Sequence, residues 1–273
     1  MAGVSLSGFN KYRFSTRKEQ KKFRQDVKRY TDVLFASPPF SDRKRDFNVW
    51  TIEVVSEDSG IDQPRKNIWK DNALGATFNF FDIERYVLTG ENRRMRDIAS
   101  VLPYDTIVIL FNAARYGGGG IYNSFATCYA GRAENSPDWW SDYVFVHEFG
   151  HSFSGLADEY YSSDVAYNDM YPLDVEPWEP NITTLRMNGQ PKWHALLTDE
   201  IDIPTEWNKA AYDSLSHLRS SLKEDILDYA NKKQAIDEQL EAILNVERLA
   251  NVVGCFEGGG YASNGIYRPS LNC

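Results

Sequence analysis

The sequence predicts an α/β (α+β) fold, in which a sheet is combined with several helices. Two stretches rich in β-branched and aromatic residues, 47–55 and 106–111, are typical of strands. Apolar residues recur at helical spacing over 16–35 and again over 205–253. These observations together favour a mixed architecture over one built only of helices or only of strands.

Each element follows from a local pattern. Residues 16–35 predict an amphipathic helix, with lysines and arginines between the apolar positions. Residues 47–55 predict a strand, and 83–101 predict an interrupted helix. The strand at 106–111 is apolar throughout, which favours a central place in the sheet. Residues 124–130 predict a further short strand.

Composition restricts the class of protein. With 273 residues, of which 42% are hydrophobic, we interpret 1–273 as one domain carrying a helical insertion at about 205–253. The formal net charge of −9 argues against nucleic acid as the main partner. No apolar run reaches about 18 residues, so we expect no membrane span. Basic residues soon after Met1–Gly8 indicate no signal peptide.

The most informative stretch is 144–160, which contains the motif His-Glu-x-x-His. At about 3.6 residues per turn, His147 and His151 lie on the same face of a helix. Two neutral imidazoles at this spacing are able to hold one zinc ion, and Glu148 is placed to act as a base towards a water that the metal activates. Chance occurrence on a surface helix is the alternative interpretation. The apolar flanks argue against it, because buried histidine and glutamate are costly unless paired or bound to metal.

A run of glycines, Gly117–Gly120, precedes this motif. Successive glycines suit either a place where another backbone approaches closely or a flexible hairpin turn. In the first case the run would form the rim of a cleft where an extended substrate pairs with an edge strand. No Lys-Ser or Lys-Thr follows the run, so a phosphate-binding loop is excluded. The sequence alone does not separate the two remaining interpretations.

The second half of the chain is less regular before it becomes helical. Residues 155–205 are rich in proline and aromatic residues and predict irregular structure. Residues 205–253 predict a helical hairpin with its turn at Asn231–Lys233. The Gly- and Tyr-rich stretch 256–269 predicts a loop close to another part of the protein. Asn181-Ile182-Thr183 matches a glycosylation sequon, which is a short and weak signal.

The stretch from His147 to Tyr160 resembles the signature of the IgA peptidase family of zinc metallopeptidases, distant relatives of the metzincins. The stretches 47–50, 116–120 and 256–269 are similar to that family as well. The resemblance implies a metzincin-like zincin domain with a twisted mixed sheet, an active-site helix and endopeptidase activity. It also implies an extracellular, cell-surface or periplasmic location. IgA itself is not implied as the substrate.

The third zinc ligand departs from the metzincin spacing. Gly155 falls four residues after the second histidine and Asp158 seven residues after it. A helix that ends at Gly155 would allow Asp158 to return to the metal, because carboxylate oxygens also bind zinc. Glu159 is the competing candidate. We favour Asp158, whose spacing keeps it nearer the histidine side of the helix.

These inferences lead to a hypothesis of zinc-dependent peptide hydrolysis by a monomer acting on protein or peptide substrates. His147, His151 and Asp158 would bind zinc, and Glu148 would serve as general base. Tyr267 is a candidate donor to the oxyanion, and aromatic packing is the alternative role for it. One rival hypothesis is a catalytically inactive, peptidase-like module that binds protein or glycan. Another is a zinc hydrolase acting on a non-peptide amide.

Overall fold

The computed structural model describes residues 2–4, 17–131, 139–161, 170–223, 225 and 227–272. The chain divides into two compact units, Met1–Gly155 and Leu156–Cys273. Helices and small sheets occur in each unit, so the fold is α+β, as predicted. The assignment of both units to one domain stays a prediction. None of the described helices combines the length and apolarity needed to cross a membrane.

Three helices lie in the first unit: α1 (Arg17–Leu34), α2 (Asn92–Ala99) and α3 (Trp140–Ser154). α1 confirms the predicted helix, apart from residue 16, which lies outside the described residues. The helix predicted over 83–101 is wrong in its first part. There the N–H of Val87 donates to the carbonyl oxygen of Gly118 at 2.9 Å, and a strand bond of this kind is incompatible with helical bonding.

The strands of the first unit are short. They are β1 (Ala2–Val4), β2 (Asn48–Trp50), β3 (Ala76–Thr77), β4 (Leu88–Thr89), β5 (Val108–Phe111), β6 (Gly118–Ile121) and β7 (Phe125–Tyr129). β1 pairs in parallel with β2, and β3 pairs antiparallel with β4. The remaining three form a sheet in the order β5-β7-β6, in which β7 is parallel to β5 and antiparallel to β6.

The centre of the three-stranded sheet is β7, which confirms the strand predicted over 124–130. All of its residues are buried. The central place predicted for 106–111 is wrong, because β5 lies at an edge of this sheet. Burial along β5 alternates, with Ile109 and Phe111 buried and their neighbours only half-buried. The apolar run at 106–111 therefore predicted a strand correctly, but it did not predict the position of that strand in the sheet.

The strand predicted over 47–55 is confirmed only in its first part, as β2. Its partner β1 pairs with it over three residues, Ala2–Val4. Residues 51–55 have no regular secondary structure, and the residues that follow β1 lie outside the described part of the chain. Side chains of 51–54 instead line a cavity of about 820 Å³, together with residues of α1 and β5.

Strand β6 lies close against helix α3, and its glycines make this approach possible. A Cβ atom on Gly120 would lie 2.5 Å from the carbonyl oxygen of Glu148 and 2.7 Å from the Cβ of His151. On Gly118 a Cβ atom would lie 2.9 Å from Oε1 of Glu148. Neither position has room for a side chain. The interpretation of the glycine run as a place of close approach is confirmed, and the flexible turn is wrong.

The second unit contains a helical hairpin, α4 (Lys209–Ser221) and α5 (Tyr229–Leu244), which confirms the helices predicted within 205–253. Arg219 of α4 forms an ion pair with Asp237 of α5. The turn predicted at 231–233 is wrong, because those residues lie inside α5. The helix begins after Asp228, whose left-handed backbone (φ 65°) reverses the chain earlier.

Strands β8 (Phe256–Gly259) and β9 (Ala262–Arg268) form an antiparallel hairpin in the second unit. The loop predicted over 256–269 is therefore wrong, although glycine does mark a close approach there. A Cβ atom on Gly258 would lie 2.1 Å from the ring of Tyr161. The described residues between α3 and α4 are mostly irregular, as predicted, with one short helical turn at His194–Leu196.

Replacing Gly120 by alanine should destabilise the protein. The new methyl group would collide with the α3 backbone, and overpacking of this kind costs about 1–3 kcal/mol. Chemical denaturation of Gly120→Ala should therefore show a lower free energy of unfolding than the parent protein. Gly90→Ala is the matched control, because nothing lies within 4 Å of a Cβ atom there. Equal stability of the two variants would contradict the packing of β6 against α3.

Candidate metal centre

Helix α3 carries both predicted histidine ligands. His147 and His151 lie one turn apart, and their Nε2 atoms face each other at 3.0 Å. The rings stand nearly perpendicular, with centroids 4.4 Å apart and an interplanar angle of 82°. Two ring nitrogens at this distance need a shared proton or a shared metal ion between their lone pairs.

A row of aromatic rings orients the first histidine. Tyr143 stacks on His147 with centroids 5.7 Å apart and planes 23° apart, and Trp140 stacks on Tyr143 at 5.4 Å and 24°. The face of α3 that carries Trp140, Tyr143 and His147 is partly exposed. Val144, Phe145 and Phe149, on the other side of the helix, are buried. The apolar flanks of the motif thus anchor one face of the helix, and the histidines occupy the other.

Glu148 lies between the histidine face and strand β6. Its side chain passes over Gly118, where its Oε1 and Cγ atoms would lie 2.9 and 3.0 Å from a Cβ atom. The side chain is only half-buried. A glutamate in this position retains access to solvent while the glycine surface limits its rotation, which suits a group that exchanges protons.

The chain turns immediately after α3. Gly155 adopts a left-handed conformation (φ 65°), and its N–H donates to the carbonyl oxygen of His151 at 3.1 Å. This is a common way to end a helix, and it was predicted from the position of the glycine. Three residues later comes Asp158. Ligand atoms of His147, His151 and Asp158 lie within 4.8 Å of one another.

The donor set fits a zinc ion. Two imidazole nitrogens bound to tetrahedral zinc at about 2.0–2.1 Å lie roughly 3.3 Å apart, which the observed 3.0 Å approaches. Two histidines and one carboxylate form a ligand set typical of catalytic zinc, where the fourth position stays open. The residues that the structure brings together are therefore suited to the metal that the motif predicts.

Asp158 is held by a residue that sequence reasoning missed. The phenol of Tyr261 donates a hydrogen bond to Oδ2 of Asp158. The N–H of Gly260 donates to the backbone carbonyl oxygen of Asp158 at 2.9 Å. Burial, followed by the charge of Asp158, raises the pKa of Tyr261, so the phenol keeps its proton. The only signal in the sequence was the mixture of glycine and tyrosine at 258–261.

Glu159, the competing candidate ligand, has another partner. Its Oε1 accepts a hydrogen bond from Nδ2 of Asn181 at 2.9 Å. Burial raises the pKa of Glu159, and the Asn181 hydrogen bond and the charge of Arg268 oppose this rise. This geometry favours Asp158 as the third ligand and leaves Glu159 in a supporting position.

Asn181 fastens the segment that follows α3. Its Oδ1 accepts from the N–H of Ala157 at 2.8 Å, and its Nδ2 donates to the carbonyl oxygen of Ala157 at 2.9 Å. The same Nδ2 is the atom to which a glycan would be attached, and Ile182 and Thr183 are fully buried. The sequon is therefore part of the folded structure, and the structure offers no support for glycosylation at this asparagine.

Among the described residues, Tyr267 and the two histidines outside the motif, His194 and His217, are absent from the group of ligand atoms. Tyr267 is in β9, opposite Glu257 of β8. Burial, followed by the charges of Glu257 and Cys255, raises its pKa. Its role as an oxyanion donor stays a prediction. His194 begins the short helical turn at 194–196, and His217 lies in α4. Within the described part of the chain, neither belongs to the group of potential metal ligands.

Asn181→Ala should lower stability by removing three hydrogen bonds from the segment next to Asp158. Leaving buried backbone groups unsatisfied costs about 1–3 kcal/mol. Thermal denaturation should therefore show a lower melting temperature than in Asn264→Ala, a control at an exposed position of β9. A melting temperature equal to that of the control would show that Asn181 does not fasten the segment.

Comparison with known proteins agrees with the geometry. No curated protein matches the chain. The family model described as IgA Peptidase M64 matches residues 13–273, which is nearly the whole sequence. This confirms the resemblance of the stretch His147 to Tyr160. A chain matched over this length by the model of a peptidase family is expected to act on protein substrates. The chain therefore belongs to the IgA Peptidase M64 family.

Proposed function

We propose that this protein is a zinc-dependent endopeptidase. The observation that carries the proposal is the grouping of His147, His151 and Asp158 within 4.8 Å, next to the half-buried Glu148. Family membership supports the hydrolysis of peptide bonds. The donor set supports zinc as the metal.

His147, His151 and Asp158 would hold the metal. When bound, zinc would supply Lewis acidity to the water and to the scissile carbonyl. Glu148 would accept a proton from the attacking water and then donate it to the leaving amine. Tyr267 would donate a hydrogen bond to the oxyanion that develops at the carbonyl.

Strand β6 is the proposed site for the substrate backbone. Gly118 already bonds to the segment before β4, since its N–H donates to the oxygen of Arg85 at 3.3 Å and its oxygen accepts from Val87 at 2.9 Å. Gly120 lies two residues further on, so its backbone groups point to the same edge. An extended peptide pairing there would continue this ladder and would pass alongside Glu148 and His151.

Three further features belong to the proposal. The turn at Gly155, followed by a carboxylate ligand, supports a metzincin-like arrangement with an altered third ligand. Family resemblance supports a location outside the cytoplasm, in the medium, at the cell surface or in the periplasm. We also propose that the protein acts as a monomer. The peptidase-like binding module remains the alternative function. The presence of Glu148 together with both histidines argues against it, because a module that only binds has no need for the glutamate.

Glu148→Gln should bind zinc as the parent protein does but lose peptidase activity. General acid–base catalysis contributes about 100- to 10,000-fold, so cleavage of casein should fall by that factor. Zinc content, measured by elemental analysis, should stay at about one ion per chain. Glu241→Gln, at an exposed position of α5, is the control and should cleave normally. Zinc binding without casein cleavage by the parent protein would favour the binding module instead.

Asp158→Asn and Glu159→Gln should separate the two candidate ligands. Loss of a residue that orients a metal ligand typically weakens metal affinity about 10–100-fold, so loss of a direct ligand should weaken it by at least about 100-fold. Competition titration with a chromophoric chelator measures this difference. Asp158→Asn should show the larger loss of zinc affinity, and Glu159→Gln should show the smaller one. The reverse order would assign the third ligand to Glu159.

A further inference from the structure

We infer that Tyr261 is a positioning residue for the metal centre, because its phenol fixes the carboxylate of Asp158. This inference rests on the proposed function and adds to it. It assigns part of the control of metal affinity to the tip of the hairpin formed by β8 and β9. Tyr261 lies 103 residues beyond Asp158 in the sequence.

Three hydrogen bonds connect the hairpin tip to the segment that follows α3. The Tyr261 hydroxyl donates to Oδ2 of Asp158, and the Gly260 N–H donates to the carbonyl oxygen of the same residue at 2.9 Å. The Tyr261 N–H donates to the carbonyl oxygen of Tyr160 at 3.1 Å. Asp158 is thus held through both its backbone and its side chain, and only 9% of it is exposed.

The backbone conformation of Tyr261 is unfavourable for a residue with a large side chain. Gly259 pairs with Ala262, so Gly260 and Tyr261 form a two-residue hairpin loop. Both have positive φ angles, 52° and 65°. Loops of this type strongly prefer Asn-Gly or Gly-Gly, because a bulky side chain is unfavourable in the left-handed region. A tyrosine at such a position persists when its contacts over-determine the conformation, as happens at functional sites.

The contacts of the Tyr261 ring stabilise this unfavourable backbone conformation. Tyr261 packs edge-on against Tyr160, with centroids 5.6 Å apart and planes 75° apart. This packing aims the hydroxyl at Asp158. A carboxylate that accepts a phenol hydrogen bond cannot rotate freely about its side-chain bonds. Because partners of this kind orient metal ligands, their loss weakens affinity without removing any ligand.

The test is the zinc dissociation constant of Tyr261→Phe, measured by chelator competition. The variant keeps the ring and loses only the hydroxyl, and its affinity should fall about 10–100-fold. Tyr161→Phe is the matched control, because it removes a phenol that donates to Asp213 at 2.7 Å in the same unit. Its zinc affinity should be unchanged. Tyr261→Asn, which tolerates the left-handed backbone, should weaken zinc binding as Tyr261→Phe does.

A double-mutant cycle shows whether the effect passes through Asp158. In an Asp158→Asn background, Tyr261→Phe should cause no further loss of zinc affinity. An equal loss in both backgrounds, or parent-like affinity of Tyr261→Phe, would overturn the inference. Either result would leave the proposed function intact, provided that the parent protein binds zinc and Glu148→Gln abolishes cleavage. A parent protein that binds no zinc would overturn both.

Discussion

The close approach of strand β6 to helix α3 is the constraint on which the candidate site depends. Gly118 and Gly120 allow the strand backbone to lie against Glu148 and His151, at separations that no side chain would permit. Glu148 and His151 therefore lie on a helix and pack against a strand, and neither lies on a loop. Sites built on helices and strands keep their geometry better than sites on loops.

The segment after α3 depends on polar contacts as well as on the apolar packing of Ala157 against Ile182 and Ile266. Gly155 turns the chain, Asn181 binds the backbone of Ala157, and the hairpin tip binds Asp158. The hydrogen bonds made by Asn181 and by the hairpin tip lie within the second unit. A buried carboxylate requires such partners, because unpaired burial of a charge is very unfavourable. The same network that stabilises Asp158 also fixes where its oxygens point.

Local patterns predicted the parts of the fold that local interactions determine. Helical periodicity identified α1 and the α4–α5 hairpin, motif spacing identified the histidine pair, and Gly155 identified the end of α3. Pairing between distant segments was not predictable in this way. The residues 51–55 are strand-like in composition but belong to no strand in the described part of the chain, and the hydrogen bonds of Tyr261 and Asn181 join residues far apart in sequence. Contacts of this kind leave no periodic pattern in the sequence.

The choice between Asp158 and Glu159 illustrates the same limit. Residues 156–161 have no regular secondary structure, so no repeating pattern in the sequence decides which of the two adjacent carboxylates faces the histidines. Asn181 contributes to that choice, because its amide binds Glu159 and the backbone of Ala157 together. With Glu159 bound by Asn181, Asp158 is the carboxylate whose oxygen lies within 4.8 Å of the ring nitrogens of His147 and His151.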